Sequence, residues 1–103
     1  MSTSMLDMRM PEVLDVEVSE DTLRVELSDG RMLSVPSGWY PRLLHATEQE
    51  RGNWTLIDER RGIHWQDLDE DVSLEGLLAG RASRENQASL KRWLEERLAE
   101  RVE

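Results

Sequence analysis

The sequence predicts one α+β domain: an antiparallel three-stranded meander, a helix, a second hairpin, a short helix and a long C-terminal helix. Three observations carry this prediction. Apolar and charged residues alternate through the first third of the chain, Asp29-Gly30 falls between two such segments, and leucines recur every fourth residue near the C-terminus. Period two marks half-buried strands, Asp-Gly is a strong short-range hairpin signal, and recurrence at four marks one face of a helix. With 103 residues the chain has the length of one domain, enough for one core and not two.

Residues 1–10 are rich in Ser and Met without period, and predict a mobile tail. In the first strand Leu14, Val16 and Val18 alternate with Asp15 and Glu17; in the second Leu23, Val25 and Leu27 alternate with Arg24 and Glu26. A two-residue turn at Asp29-Gly30 leads into Arg31-Met32-Leu33-Ser34-Val35, and Pro36 ends that strand because it cannot donate to a ladder. Pro41 suits the first turn of a helix, where a missing N–H costs nothing. The pattern predicts one helix of about three turns from there, stopped at Gly52 with positive φ. Trp54–Ile57 and Ile63–Trp65 read as the second hairpin, and residues 66–72 as an acidic loop. Ser73 caps a short helix that Gly80 stops, and Ser83 caps the last helix, whose stripe is Leu90, Leu94, Leu98 and Val102 with Trp93 beside it. The chain thus divides into a tail over 1–10, a domain over 11–80 and a C-terminal amphipathic helix over 81–103.

Composition excludes several functions. There is no Cys, so disulfides and thiolate metal sites are ruled out. No apolar run approaches a membrane span and no signal-peptide core is present, so a cytoplasmic protein without membrane contact is expected. The net charge of −9 argues against nonspecific nucleic-acid binding, which needs clustered Lys and Arg. The charge is uneven: residues 58–80 carry −5, whereas 81–103 carry +1. An acidic body steers toward a basic partner over a Debye length of about 8–10 Å.

The run Asp67, Asp69, Glu70 and Asp71 invites a calcium reading, but an EF-hand counted from Asp67 needs Gly where Val72 stands and Glu where Leu78 stands. The simpler reading is a solvated loop whose carboxylates favour the start of the next helix. His64 and Asp67 suggest metal ligands or an acid–base pair, but with His45 the only other His the chain cannot fill a structural zinc site. A strand histidine satisfied by hydrogen bonds is the better expectation. No nucleophile elbow, phosphate-binding Gly loop or triad signature is present, so neither an enzyme nor a cofactor is expected. Four Trp in a chain without Phe read first as core; Trp39 and Trp93 are the two left open to interfaces. Arg81, Arg84, Lys91, Arg92, Arg97 and Arg101 interleave with Glu85, Glu95, Glu96 and Glu100, which reads as a solvated face before a DNA-binding one.

Three blocks carry a family resemblance: Trp39-Tyr40-Pro41-Arg42-Leu43-Leu44, Asn53-Trp54-Thr55-Leu56-Ile57, and residues 63–78, which open on Ile63-His64-Trp65. With these blocks in this order, the chain from Val13 to Gly80 resembles the bacterial domain-of-unknown-function family numbered 2442. The resemblance implies a small α+β domain and no activity, since none is established for the family. It also implies a neighbourhood of short toxin-like proteins and, in some members, an appended helix-turn-helix domain. Members commonly carry Pro after the His-Trp pair, where this chain has Gln66. The segment after Gly80 is too short for a full appended DNA-binding domain.

The functional expectation is a protein-interaction module of antitoxin-like kind. Its acidic loop (Asp67, Asp69, Glu70, Asp71) would steer toward a small, basic, toxin-like protein, and Leu90, Trp93, Leu94 and Leu98 would form the apolar contact. The alternative is a DNA-associated transcriptional regulator using the C-terminal helix. Self-association through that helix is a separate expectation.

Overall fold

The computed structural model describes residues 11–101. The order is β1 (Val13–Val18), β2 (Thr22–Leu27), β3 (Met32–Pro36), a 3-10 turn (Ser37–Trp39), α1 (Pro41–Leu44), α2 (Glu48–Gly52), β4 (Trp54–Ile57), β5 (Gly62–Trp65), β6 (Glu70–Ser73), α3 (Leu74–Leu78) and α4 (Gln87–Arg101). Two antiparallel three-stranded sheets result, β1-β2-β3 and β4-β5-β6. The α+β class holds. The predicted tail over 1–10 and the stripe residue Val102 lie outside the described residues.

The first sheet follows its alternation, with one correction. Leu23, Val25 and Leu27 of β2 point into the core, and Leu33 and Val35 of β3 pack against it. In β1 the pairing slips between Val13 and Asp15, a β-bulge. The extra residue turns Val13 inward to full burial and leaves Leu14 46% exposed, reversing the predicted side for Leu14. The hairpin also differs from a two-residue Asp-Gly turn. Leu27 N–H donates to the Arg31 carbonyl, Gly30 N–H donates to the Leu27 carbonyl, and of the turn residues only Gly30 has positive φ, +92°. This is a three-residue connection ending in a left-handed glycine, a common alternative that keeps the same strand twist.

The helix predicted from Pro41 to Gly52 is two helices. Thr47 breaks it: its hydroxyl accepts from Glu50 N–H while the Glu50 carboxylate accepts from Thr47 N–H, a full capping box. Thr-x-x-Glu is the sequence signature of that cap, and the amphipathic pattern hid it. Gly52 has no positive φ and the chain continues directly into β4, so the expected stop at Gly52 is not a left-handed one.

The second sheet has a third strand where a loop was expected. Ile63 pairs with Val72 and His64 with Asp71, so the acidic segment is half strand. The turn before it closes with Leu68 N–H on the Trp65 carbonyl and positive φ at Asp69, and it buries Leu68 fully. The alternation of Glu70, Val72 and their neighbours was too short to outweigh the surrounding charge.

The core that joins the sheets centres on Trp65, Leu68, Ile63, Leu43, Leu74 and the β2 apolar residues. Backbone bonds reinforce it. The turn Asp58-Glu59-Arg60 runs through left-handed φ of 53°, 56° and 66°, unfavourable for residues with a Cβ. It directs the Arg60 carbonyl to Val13 N–H and the Arg61 carbonyl to Leu74 N–H, each at 2.8 Å. One turn thereby ties the second sheet both to the first strand and to the start of α3. The last helix starts at Gln87, not after Ser83: the Asn86 side chain accepts from Ser89 N–H, and the Ser83 hydroxyl accepts from Glu85 N–H.

Leu68→Ala is expected to lower stability by about 2–5 kcal/mol, as for other fully buried leucines. A loss below about 1 kcal/mol in urea unfolding would show that the turn before β6 is not part of the core.

Candidate functional site

The chemically interesting residues collect where α4 meets the body. Arg42 leaves α1 and donates from Nε and Nη2 to the Glu85 carboxylate at 2.8–3.1 Å, and from Nη1 to the Leu68 carbonyl at 2.8 Å. Its guanidinium carbon lies over the Trp93 ring, 5.1 Å from the centroid. Arg97, one helical turn further on, lies over the same ring at 4.6 Å and forms a two-bonded pair with Glu50 at 2.7–2.9 Å. Ser89 adds a bond to Glu85. Residues 89, 93 and 97 are four apart, so one face of α4 docks, held by one indole, two guanidiniums and two carboxylates. Each cation–π contact contributes about 0.5–2 kcal/mol, with more where water is excluded.

This arrangement redistributes the predicted partner residues. Trp93 faces the body and packs against the core. Leu90 and Leu94 are half-buried, one step round from the docked face, and Leu98 is 61% exposed. The stripe is therefore not what docks α4; apolar and charged residues are poorly segregated on this helix, and Lys91 and Glu95 share the side of Leu94 and Leu98. Of the acidic residues, Asp67 accepts from the Asn53 side chain, Asp71 pairs with His64 Nδ1, Glu70 is half-buried and Asp69 is exposed. His64 thus has Asp71 as its partner, not Asp67. The structure does bring Asp67 and Trp93 together, with Arg97 and Glu100, around an open groove of about 460 Å³.

A second cleft of about 500 Å³ opens beside Glu70 and is lined by Tyr40, Ser73, Arg81 and Arg84 among others. Tyr40 is buried and its hydroxyl donates to the Arg81 carbonyl, holding the segment before α4 against the 3-10 turn, where Ser83 N–H also donates to the Trp39 carbonyl. Burial pushes the Glu70 carboxyl up to about 7, helped by Glu85, Asp71 and Asp69 and opposed by Arg42. Burial, then Glu70, raises the Tyr40 hydroxyl. Arg97, above all, holds Glu50 down at about 2, and the hydrogen bonds from Arg42 lower Glu85. Among the described residues no group of three or more His, Cys, Asp or Glu converges as a metal site.

Arg42, Glu50 and Glu85 were not singled out from the sequence. Arg42 carried a signal, being the one charge inside the apolar block Trp39–Leu44. Glu85 had none, and the Thr-x-x-Glu cap marks Glu50 without pointing to Arg97, because the partners of Glu50 and Glu85 lie 47 and 43 residues away.

The family described as Protein of unknown function (DUF2442) matches residues 13–83. The chain belongs to this family. The matched region holds both sheets, α1 to α3 and Arg42, but not α4 or Trp93. A crystal structure of a protein of unknown function from Rhodospirillum rubrum is similar, with a TM-score of 0.64 and 24% identity over 78% of this chain and 96% of that one. So is the solution structure of an uncharacterized protein from Chromobacterium violaceum, with a TM-score of 0.63 and 25% identity over 80% and 77%. No curated protein matches the chain. No helix among the described residues is long and apolar enough to cross a membrane.

Arg42 with Glu85 and Arg97 with Glu50, on the ring of Trp93, form a clasp that holds α4. The folded protein keeps a proton on Glu70 up to about pH 7, whereas the unfolded chain releases it near 4.5. The folded state therefore binds more protons between these values, and stability falls as pH rises through that window. Glu50 acts in the opposite direction: its contribution is complete above 4.5 and is lost as pH falls toward 2. Glu70→Gln should be more stable than wild type at pH 8 by about 1–2 kcal/mol, allowing for solvent screening, and equal to it near pH 4. Parallel wild-type and variant curves across that range, from urea midpoints, would refute the assignment. Trp93→Ala should lose about 2–4 kcal/mol and make the α4 amides exchange faster than those of β2 and β5; uniform protection would show that α4 docks by other contacts.

Proposed function

We propose that the protein is a cytoplasmic, non-catalytic interaction module, antitoxin-like in that it docks a small basic protein. One observation supports this reading above the others. The outward face of the first sheet sets Asp15 directly opposite Glu26 and places Met32 next in the same row. Like charges directly opposite across strands are unfavourable, and no cation within the chain pairs with either among the described residues. The neighbouring row has Glu17 paired to Arg24. Leu14 and Met32, 46% and 54% exposed, supply apolar area beside these carboxylates. A partner with Lys or Arg around an apolar centre would relieve the repulsion and cover both side chains. The overall charge of −9, with the exposed Asp67, Asp69 and Asp71 on the second sheet and its turns, strengthens the same field.

Support for binding over catalysis comes from the polar side chains themselves. His64, Asp67, Asp71 and Ser73 each already serve a local hydrogen bond, and Glu50, Glu85, Arg42 and Arg97 hold α4.

The test is a tagged pull-down from the native host, with and without nuclease, repeated with Asp15→Lys/Glu26→Lys. A small basic protein should survive nuclease, dissociate with rising salt and be lost with the double variant, whose own stability should be unchanged or slightly higher. A partner that the charge reversal does not affect would overturn this surface. Partners that vanish with nuclease would favour DNA association through α4 instead.

A further inference from the structure

Helix α4 docks by one face only, the line of Ser89, Trp93 and Arg97. Next to that line run Leu90 and Leu94, both half-buried, and Leu98, 61% exposed. On their outer side lie Lys91 and Glu95, both exposed. Neither makes an ion pair among the described residues, although they are four apart; Lys before Glu is the weaker order for such a pair within one helix.

We propose that α4 is a self-association surface, pairing antiparallel with α4 of a second copy about a twofold axis through Leu94. An antiparallel register centred there sets Leu90 of one copy against Leu98 of the other and Leu94 against itself. It also brings Lys91 of each copy alongside Glu95 of the second copy, offset by two residues or about 3 Å along the axis. The twofold axis repeats this pair, so two lysines and two glutamates that are unpaired in one chain find partners in the dimer. A parallel twofold pair sets the two Lys91–Glu95 flanks on opposite sides of the helices, so these charges do not meet, and only the antiparallel register pairs them. The docked face stays in contact with its own body, so neither Trp93 nor the clasp needs to open.

The contact is small. A helix of 15 residues is about 22 Å long, and two such helices pairing along three leucines each bury roughly 800–1,000 Å² in total. That lies below the roughly 1,200 Å² of a standard stable interface, so a weak, concentration-dependent dimer is expected. This surface is separate from the acidic sheet face and needs no partner protein.

The experiment is sedimentation of the purified full chain from low micromolar to near-millimolar concentration. The expected mass rises from one chain of 12.0 kDa toward two. Leu94→Glu should remain a monomer throughout. Lys91→Glu and Glu95→Lys, each alone, place like charges together and should weaken association about tenfold or more, and the double swap Lys91→Glu/Glu95→Lys should restore it. Far-UV circular dichroism checks that each variant keeps α4; should Leu94→Glu lose helix, the charge swap carries the test, since both positions are exposed. A clean monomer at the highest concentration, or a double swap no tighter than the single changes, would overturn the proposal. Asp15→Lys/Glu26→Lys should dimerise like wild type, which keeps a failure here distinct from a failure of the basic-partner reading.

Discussion

Arg42 joins α1, the turn before β6 and α4, of which α4 meets the apolar core through Trp93. It rises from a helix of four residues, and its guanidinium reaches the carbonyl before β6, the carboxylate before α4 and the ring of Trp93. No other side chain in the protein touches all three segments in this way among the described residues. A guanidinium can do this because its donors are fixed in a plane while the faces of that plane remain free to stack. A lysine would supply the charge but neither the fork nor the face. Its own salt bridge is largely shielded, with side-chain exposures of 18% for Arg42 and 10% for Glu85, so it is screened less than a surface pair.

The need for such a hub follows from a lean composition. Only 38% of the residues are apolar and there is no Phe, so the core is built from leucines, valines and Trp65. That core is sufficient to hold two short sheets and α1 to α3 together. It reaches α4 at Trp93, and the docked positions on either side of that ring are Ser89 and Arg97. Polar staples appear elsewhere for the same reason. Trp65 Nε1 donates to the Arg51 carbonyl, Arg51 donates to the carbonyls of Leu43 and Leu44, and the buried Ser37 hydroxyl donates to the Ser19 carbonyl. No buried side-chain polar atom among the described residues lacks a partner. Satisfied polar networks of this kind fix a unique arrangement where apolar packing alone would permit several.

The acidic character of the chain separates into two kinds. Around the second sheet and α4, Asp67, Asp71, Glu50 and Glu85 are hydrogen-bonded and Glu70 is half-buried, and proton affinities spread from about 2 for Glu50 to about 7 for Glu70. Carboxylates on the outer face of the first sheet stay in solvent, where two of them oppose one another. The first set serves the architecture of the domain, and the second is available to a partner. This division underlies the proposed function.

Local pattern was enough to place most elements. The alternation of Leu23, Val25 and Leu27, the prolines at 36 and 41, the Ser73 cap and the stop at Gly80 each act within a few residues, and the structure keeps all of them. Thr47 and Glu50 were also locally readable, though a helical stripe masked the break they cause. What the sequence could not decide involves partners far apart in the chain. The bulge that turns Leu14 outward depends on pairing with β2; the burial of Leu68 and Glu70 depends on Arg42 and α4; the inward turn of Trp93 depends on Glu50 and Glu85 holding the two arginines over its ring. Periodicity reports which side of an element is apolar, but a charged side chain chooses between solvent and interior by the counter-charge it meets there. Only the tertiary fold supplies that counter-charge.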